Sequence, residues 1–307
     1  MRVLIVGLGS IAKKHIAALR QLDSEIIIYA LRSSVTSVEF EGVRNIYSFL
    51  ELETITLDFA IVSNPTAEHK TTIEALLPLK CPLFIEKPLF HTLEVEEILE
   101  EIKESGMLTY VACNLRFLDC LQFVKKQLMG MRVNEVNVYC GSYLPEWREG
   151  VNWKDVYSAN KEMGGGVHID LIHEIDYLYW LFGMPNCAHK LFRNVSSLNI
   201  TAFDYANYSL EYSDFTISVI LNYYRKDARR TLEIVCDKET WEVDLRANRV
   251  MKNGVVCFES EQNIVDTYSL QMGYFVGLVK ENSTVSFNSF ENALDVLKIC
   301  LENVVRK

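Results

Sequence analysis

A short apolar run, Arg2-Val3-Leu4-Ile5-Val6, stops at Gly7-Leu8-Gly9-Ser10-Ile11-Ala12, and an amphipathic stretch begins there without a linker. This junction constrains the fold more than any other feature of the chain. A strand that must become a helix within so few residues needs Gly7 for the tight turn. It needs Gly9 so that backbone can approach whatever the turn holds, and a residue as small as Ala12 so that the helix packs close to the sheet. The unpaired N–H groups at the start of such a helix favour an anion. A G-x-G-x-x-A spacing between a predicted strand and a predicted helix therefore reads as a cradle for a dinucleotide pyrophosphate, formed by Gly7, Gly9, Ser10, Ile11 and Ala12.

The pattern that follows supports a parallel sheet. Strands are predicted at Arg2–Val6, 25–31, 59–63, Leu83–Ile85 and 108–113, with helices at 11–22, 68–77 and 93–105 between them. Strands alternating with helices imply βαβ units, and the unalternating apolar character of Leu4–Val6, Ile26–Ile28 and Ala60–Val62 suits strands covered on both faces. After about Arg116 the pattern changes. Helices are predicted at 119–129, within 164–182 and at 290–305, and alternating strands at 136–143, 205–212, 215–224, 231–236, 240–245 and 255–259. The fold class expected is an α/β Rossmann domain over residues 1–117, followed by an α+β domain over 118–307 with a large open, mainly antiparallel sheet. A chain of 307 residues is long enough for two cores.

Composition excludes several partners. A formal net charge of -10 leaves no basic stripe for phosphate neutralisation, so no nucleic-acid partner is expected. No apolar run approaches the length of a membrane span, and the opening run is too short for a signal segment. The eight cysteines are scattered, with no Cys-x-x-Cys pair, so neither a disulfide framework nor a metal cluster is expected and a cytoplasmic location fits. His168 lies about 140° around a helix from His173, which argues further against a metal.

The second strand bears on which dinucleotide binds. An acid at its end would accept from a ribose 2′-hydroxyl, but here it runs Tyr29-Ala30-Leu31-Arg32-Ser33-Ser34. Arg32 with Ser33 or Ser34 suits a 2′-phosphate, so the expectation is NAD(P) with a lean to NADP; the alternative is a solvated loop arginine.

Three further motifs stand at predicted strand ends: Ser63-Asn64-Pro65-Thr66 with His69, Glu86-Lys87-Pro88, and Asn114-Leu115-Arg116-Phe117. With the opening glycine motif they resemble the glucose–fructose oxidoreductase/inositol dehydrogenase (Gfo/Idh/MocA) family. The likeness continues through Gly164-Gly165-Gly166 and the Asp170/His173/Asp176 segment. It implies an oxidoreductase moving a hydride to or from a carbon of a sugar, cyclitol or nucleotide sugar. It also implies homodimers or homotetramers built through the C-terminal sheet. Ser63, Asn64, Pro65, His69, Glu86, Lys87, Asn114 and Arg116 would then join the cofactor site. Tyr157-Ser158-Ala159 and the stretch around the triple glycine are similar to members associated with bacterial surface-sugar biosynthesis. The commoner family arrangement has an aspartate four residues before the histidine, but position 169 here is Ile and the acid is Asp170.

Lys87 is predicted at the carboxyl edge of a parallel sheet, where its ammonium can stabilise a developing alkoxide or relay a proton. Asp170, His173 and Asp176 recur every three residues and on one helix would drift only about 120°. A free imidazole titrates near neutrality, so His173 is the first candidate for general acid/base, with Asp170 or Asp176 orienting its ring. Trp147, Arg148, Tyr157 and Lys161 are candidates, beside Lys87 and His173, for the substrate site. Two other readings stay open: a catalytically silent NAD(P)-binding sensor or partner protein, and a reductase of an imine, enone or tetrapyrrole.

Overall fold

Alternation of apolar runs with amphipathic stretches becomes a six-stranded parallel sheet in the computed structural model, which describes residues 1–52 and 55–302. In chain order this part contains β1 (Arg2–Val6), α1 (Ser10–Leu22), β2 (Ile27–Leu31), β3 (Val43–Ile46), β4 (Phe59–Val62), α2 (His69–Leu76), β5 (Leu83–Ile85), α3 (Glu96–Ser105) and β6 (Thr109–Val111). The spatial order β3-β2-β1-β4-β5-β6 reverses direction between β1 and β4, the switch point at which such sheets bind ligands beyond their carboxyl ends. Leu4, Ile5, Ala60, Ile61 and Phe84 are fully buried, as strands covered on both faces require. Strand β3 was not expected, because Val-Arg-Asn-Ile is only four residues long and two of them are polar.

The later strands form an eight-stranded sheet. Its elements follow α4 (Asp119–Gln127) as β7 (Val133–Tyr143), α5 (Val167–Asp170), α6 (His173–Phe182), β8 (Cys187–Arg193), β9 (Tyr205–Glu211), β10 (Thr216–Asn222), β11 (Tyr224–Cys236), β12 (Thr240–Asp244), β13 (Arg249–Lys252) and β14 (Val255–Glu259). The order is β14-β13-β12-β11-β7-β10-β9-β8, antiparallel throughout except where β7 lies parallel to β10. Ile234, Val136, Ile217, Leu210 and Ala188 are register partners in one row across the sheet, all buried on the same face. The opposite face carries charge: Asp227, Arg229, Glu233, Glu242, Asp244, Arg246 and Arg249 line an open concavity of about 840 Å³. Two strands escaped the sequence. In β8, Lys190 occupies an inward position and masks the alternation, and β13 is only four residues long.

The chain divides into two compact units: residues 1–113 with 265–294, and residues 114–264 with the stretch from Asp295 onward. The single boundary expected after residue 117 therefore differs from the observed division, since the chain returns to its first unit. That return carries α7 (Asp266–Lys280), another unexpected element. Its buried positions include the polar Thr267 and Gln271 beside Met272, Phe275 and Val276, which dilutes the apolar periodicity. Phe275 meets Phe59 and Phe84 edge-on at 5.2 and 5.4 Å. Farther on, Ser286 Oγ donates to the Thr109 carbonyl and Asn288 Nδ2 to the Val111 carbonyl, each at 2.7 Å and buried, which closes the exposed edge of β6. The last helix, α8, spans Phe290–Leu301; positions 303–305 of the expected helix lie outside the described residues. No helix among the described residues is long and apolar enough to cross a membrane.

The helix expected across 164–182 is two pieces. Helix α5 ends at Asp170, Leu171 leaves helical geometry (φ -94°, ψ 29°), and α6 starts at His173. The three-residue spacing of Asp170, His173 and Asp176 is therefore not one continuous helical stripe. His168 is buried against Phe192 and Phe203 at ring distances of 4.8 and 5.2 Å, an aromatic environment. Desolvation there lowers its pKa from 6.5 to about 4. The unfolded chain therefore binds a proton at this residue that the folded chain refuses. The resulting stability is fully present above pH 6.5 and is lost, by on the order of 3 kcal/mol, as pH falls towards 4. His168→Phe is expected to flatten that decline in urea midpoints measured between pH 7 and 4.5. An unchanged slope would assign the acid sensitivity to other groups.

Candidate active site

The first unit supplies a glycine turn and two strand-end motifs, those that follow β4 and β5, at one edge of its sheet. Gly7, at φ +86°, adopts a backbone conformation disfavoured for side-chain-bearing residues, and a Cβ there would lie 2.5 Å from the Asn64 backbone. Ser63 secures the same turn by donating to the Gly7 carbonyl at 2.8 Å and the Val6 carbonyl at 3.1 Å. A Cβ on Gly9 would meet nothing within 4 Å, so this side of the turn is open. Gly9 also caps α1 without a side-chain bond to the helix N-terminus, and the first turn carries no acid. An open glycine at the amino end of a thirteen-residue helix fits a pyrophosphate.

Beside the turn, Asn64 donates to Thr72 Oγ1 at 2.7 Å and to Glu68 Oε2 at 3.1 Å. The buried His69 ring lies between two carbonyls, Leu89 O at 3.0 Å from Nδ1 and Asn64 O at 3.1 Å from Nε2; burial lowers its pKa. Pro65 is exposed at the start of this segment. Arg32 stands at the end of β2 as expected, with Nη1 donating to Val38 O and Asn45 Oδ1 at 3.1 Å each. Ser33 and Ser34 are exposed, and the Ser34 hydroxyl shares a hydrogen bond with Thr36.

Glu-Lys-Pro follows β5 directly. Glu86 is buried, and its Oε1 lies 2.6 Å from Nε2 of the fully buried His15 on α1. Its other oxygen accepts from the Lys87 backbone N–H at 3.2 Å. Lys87 is half-buried, and its bond to Pro88 is cis. His15 is a residue whose part in this clamp was not read from the sequence. Its partner is 71 positions away, so no local pattern pointed to it.

The second unit holds the remaining candidates. Arg116 and Asp176, expected on the cofactor and on the proton relay, are joined to each other: Nε donates to Oδ2 at 2.8 Å and Nη2 to Oδ1 at 2.7 Å, with both side chains 1% exposed. Asn114 is buried in the same turn. Asp170 Oδ2 accepts from the hydroxyl of the buried Tyr223 at 2.6 Å. Desolvation, reinforced by Asp170, pushes the Tyr223 phenol well above its usual range, so it remains a donor. Trp147 meets the Tyr223 ring edge-on at 5.2 Å and donates from Nε1 to Ser142 Oγ. His173 is the first residue of α6 and partly exposed. Tyr157 is half-buried beside Gly165, whose missing side chain leaves room for the Tyr157 carbonyl. Arg148 and Lys161 are exposed. A second buried ion pair, Arg230 with Glu174, joins β11 to α6 at 2.6 Å and was not anticipated.

A glycine turn at the switch point of a parallel sheet, followed by an eight-stranded open sheet, defines a Rossmann-type nucleotide-binding protein with an appended α+β unit. A sequence model for an oxidoreductase family with an NAD-binding Rossmann fold matches residues 1–113, and one for the Gfo/Idh/MocA C-terminal domain matches residues 122–242. The two matches together span most of the chain, which belongs to the Gfo/Idh/MocA oxidoreductase family. Myo-inositol 2-dehydrogenase of Thermotoga maritima is 29% identical over 126 residues, covering 38% of this chain and 37% of that protein. The chain spans 37% and 54% of the lengths of two curated relatives it matches. Among solved structures, UDP-N-acetylglucosamine 3-dehydrogenase from Acidithiobacillus ferrooxidans superposes with a TM-score of 0.80 at 14% identity, covering 99% of this chain and 96% of that one. Myo-inositol 2-dehydrogenase from Lactobacillus plantarum gives 0.78 at 20% identity, with 98% and 95% covered. At such identities the likeness is one of fold.

Proposed function

We propose that this chain is an NAD(P)-dependent dehydrogenase or reductase acting in the cytoplasm on a carbon of a sugar, cyclitol or nucleotide sugar. The observation that carries the reading is the placement of Lys87. It follows β5 at the same sheet edge as the Gly7 turn and Ser63, and the adjacent Glu86 is clamped by His15. Family membership supports the class of reaction, and the dehydrogenase names of similar proteins support the class of substrate.

When bound, the nicotinamide supplies the hydride acceptor or donor. Lys87 donates a hydrogen bond to the reacting oxygen and steadies its negative charge. His173 takes up or returns the hydroxyl proton at a ring nitrogen, with Asp170, held by Tyr223, as the orienting carboxylate. Trp147, Arg148, Tyr157 and Lys161 belong to the substrate loop, offering an aromatic face and cations for a hydroxylated or phosphorylated ligand. Asp176 acts at one remove, by holding Arg116.

NADP is the favoured form, because Arg32 and not an acid ends β2 and its guanidinium is already steadied by Val38 and Asn45. In fluorescence titrations NADPH is expected to bind more tightly than NADH. Arg32→Ala should weaken NADPH by about tenfold to a hundredfold and NADH by less than about threefold, given the 1.5–3 kcal/mol typical of hydrogen bonds to charged groups. Tighter NADH binding would reverse the preference.

Homodimers or homotetramers through the charged sheet face complete the proposal. That face carries Arg229, Arg246 and Arg249 beside Asp227, Glu233, Glu242 and Asp244, so it complements a second copy of itself. Turnover on a panel of nucleotide sugars, sugars and cyclitols tests the whole reading. Tight NADPH binding without oxidation of any member would instead favour a silent sensor, and activity confined to imines, enones or tetrapyrroles would move the substrate class.

A further inference from the structure

The start of β8 holds a group of donors outside the proposed active site. Strand β8 is the edge of the eight-stranded sheet and, among the described residues, pairs only with β9. Cys187 and His189 stand two residues apart, so their side chains leave the same face. Glu211 is the direct cross-strand partner of Cys187, which brings a third donor to that face. His189 Nε2 lies 3.4 Å from Cys187 Sγ and 3.2 Å from Glu211 Oε1, and all three donor atoms lie within 4.8 Å of one another.

We propose that Cys187, His189 and Glu211 form a binding site for one divalent cation of the zinc class. Zinc binds thiolate at about 2.3 Å and imidazole or carboxylate at about 2.0–2.2 Å; at tetrahedral angles these lengths separate ligand atoms by roughly 3.3–3.6 Å. The two observed separations match within a few tenths of an ångström. A single nitrogen, His189 Nε2, faces both the sulfur and the carboxylate, and its one proton cannot satisfy two partners well. A cation between the three binds each of them, and its two charges balance one thiolate and one carboxylate. Mixed sulfur, nitrogen and oxygen donors select a borderline ion over magnesium or calcium, which take oxygen ligands. The sheet register fixes the backbone under all three residues, and the Asn186 backbone N–H donates to the Glu211 carbonyl at 2.7 Å beside them. His189 and Glu211 are exposed, so a fourth position faces solvent and takes water or a donor from another molecule. The bound ion would staple the edge strand to its neighbour, independently of any hydride chemistry.

Cobalt(II) titration of the full chain, purified in the presence of chelator and then freed of it, tests this. The expected result is saturation at one equivalent, a thiolate-to-cobalt charge-transfer band with visible bands of tetrahedral intensity, and displacement by zinc. Cys187→Ser should abolish the charge-transfer band. His189→Ala and Glu211→Gln should each weaken binding at least tenfold, while Cys257→Ser, at an exposed thiol elsewhere in the sheet, should change nothing. Circular dichroism checks that the variants fold. Absence of the thiolate band in the unaltered chain, its survival in Cys187→Ser, or wild-type affinity in His189→Ala would overturn the proposal.

Discussion

Lys87→Met is expected to lower kcat by about a thousandfold while changing cofactor affinity by less than about threefold. Methionine keeps much of the unbranched stem but removes the ammonium, so the loss isolates the charge. Removing one preorganised donor from a developing oxyanion costs about 10²–10³ in rate, and losing a proton-transfer group costs about 10²–10⁴. On the proposed mechanism Lys87 would deliver both effects, and its backbone is held in place. Its own N–H donates to Glu86, and Glu86 is anchored to the buried His15. Lys87→Arg should keep the charge but misplace it, recovering only part of the rate, since a planar guanidinium does not reproduce a compact ammonium. Steady-state turnover at saturating cofactor and substrate checks the expectation. A Lys87→Met enzyme within twofold of the unaltered chain would remove Lys87 from the chemistry.

The largest stability effect is expected from Asp176→Ala, which should destabilise the second unit by about 3–5 kcal/mol. Both carboxylate oxygens accept from Arg116, and each side chain is 1% exposed. Alanine leaves a guanidinium out of water with neither oxygen to receive it. The double variant Arg116→Met, Asp176→Leu should recover most of the loss, because replacing a buried pair by apolar groups of similar volume is often neutral. Urea denaturation of the single and double variants measures the coupling directly. A single variant losing less than about 1 kcal/mol would show that water reaches the arginine.

What could be read from the sequence was what is decided locally. The glycine turn announces itself because its demands, a positive φ at Gly7 and open backbone at Gly9, are met within six residues of a strand. Alternation likewise revealed β9, β10 and β12. Elements whose burial pattern mixes polar and apolar side chains were hidden, as with Lys190 facing inward in β8 and Gln271 buried in α7. The break between α5 and α6 was hidden too, because residues 164–182 read as one helix when the bend at Leu171 carries no glycine or proline to mark it. Long-range pairs lay wholly beyond such reading. Tyr223 reaches Asp170 across 53 positions, and Arg116 reaches Asp176 across 60. No periodicity encodes those meetings; only the register of the folded sheet and helices produces them.

The one parallel pairing among the described strands of the larger sheet has an architectural consequence. Two neighbours running in the same direction cannot be joined by a tight hairpin, so the polypeptide must return to the starting end of β7 before β10 can begin. Residues 144–215 make that return and carry Trp147, Arg148, Tyr157, Lys161, Asp170 and His173 along the way. On the proposed function, the detour that geometry imposes would double as a cassette. Its loops before β8 could then be rewritten for a new ligand while the ladders of β7 to β10 keep their alignment.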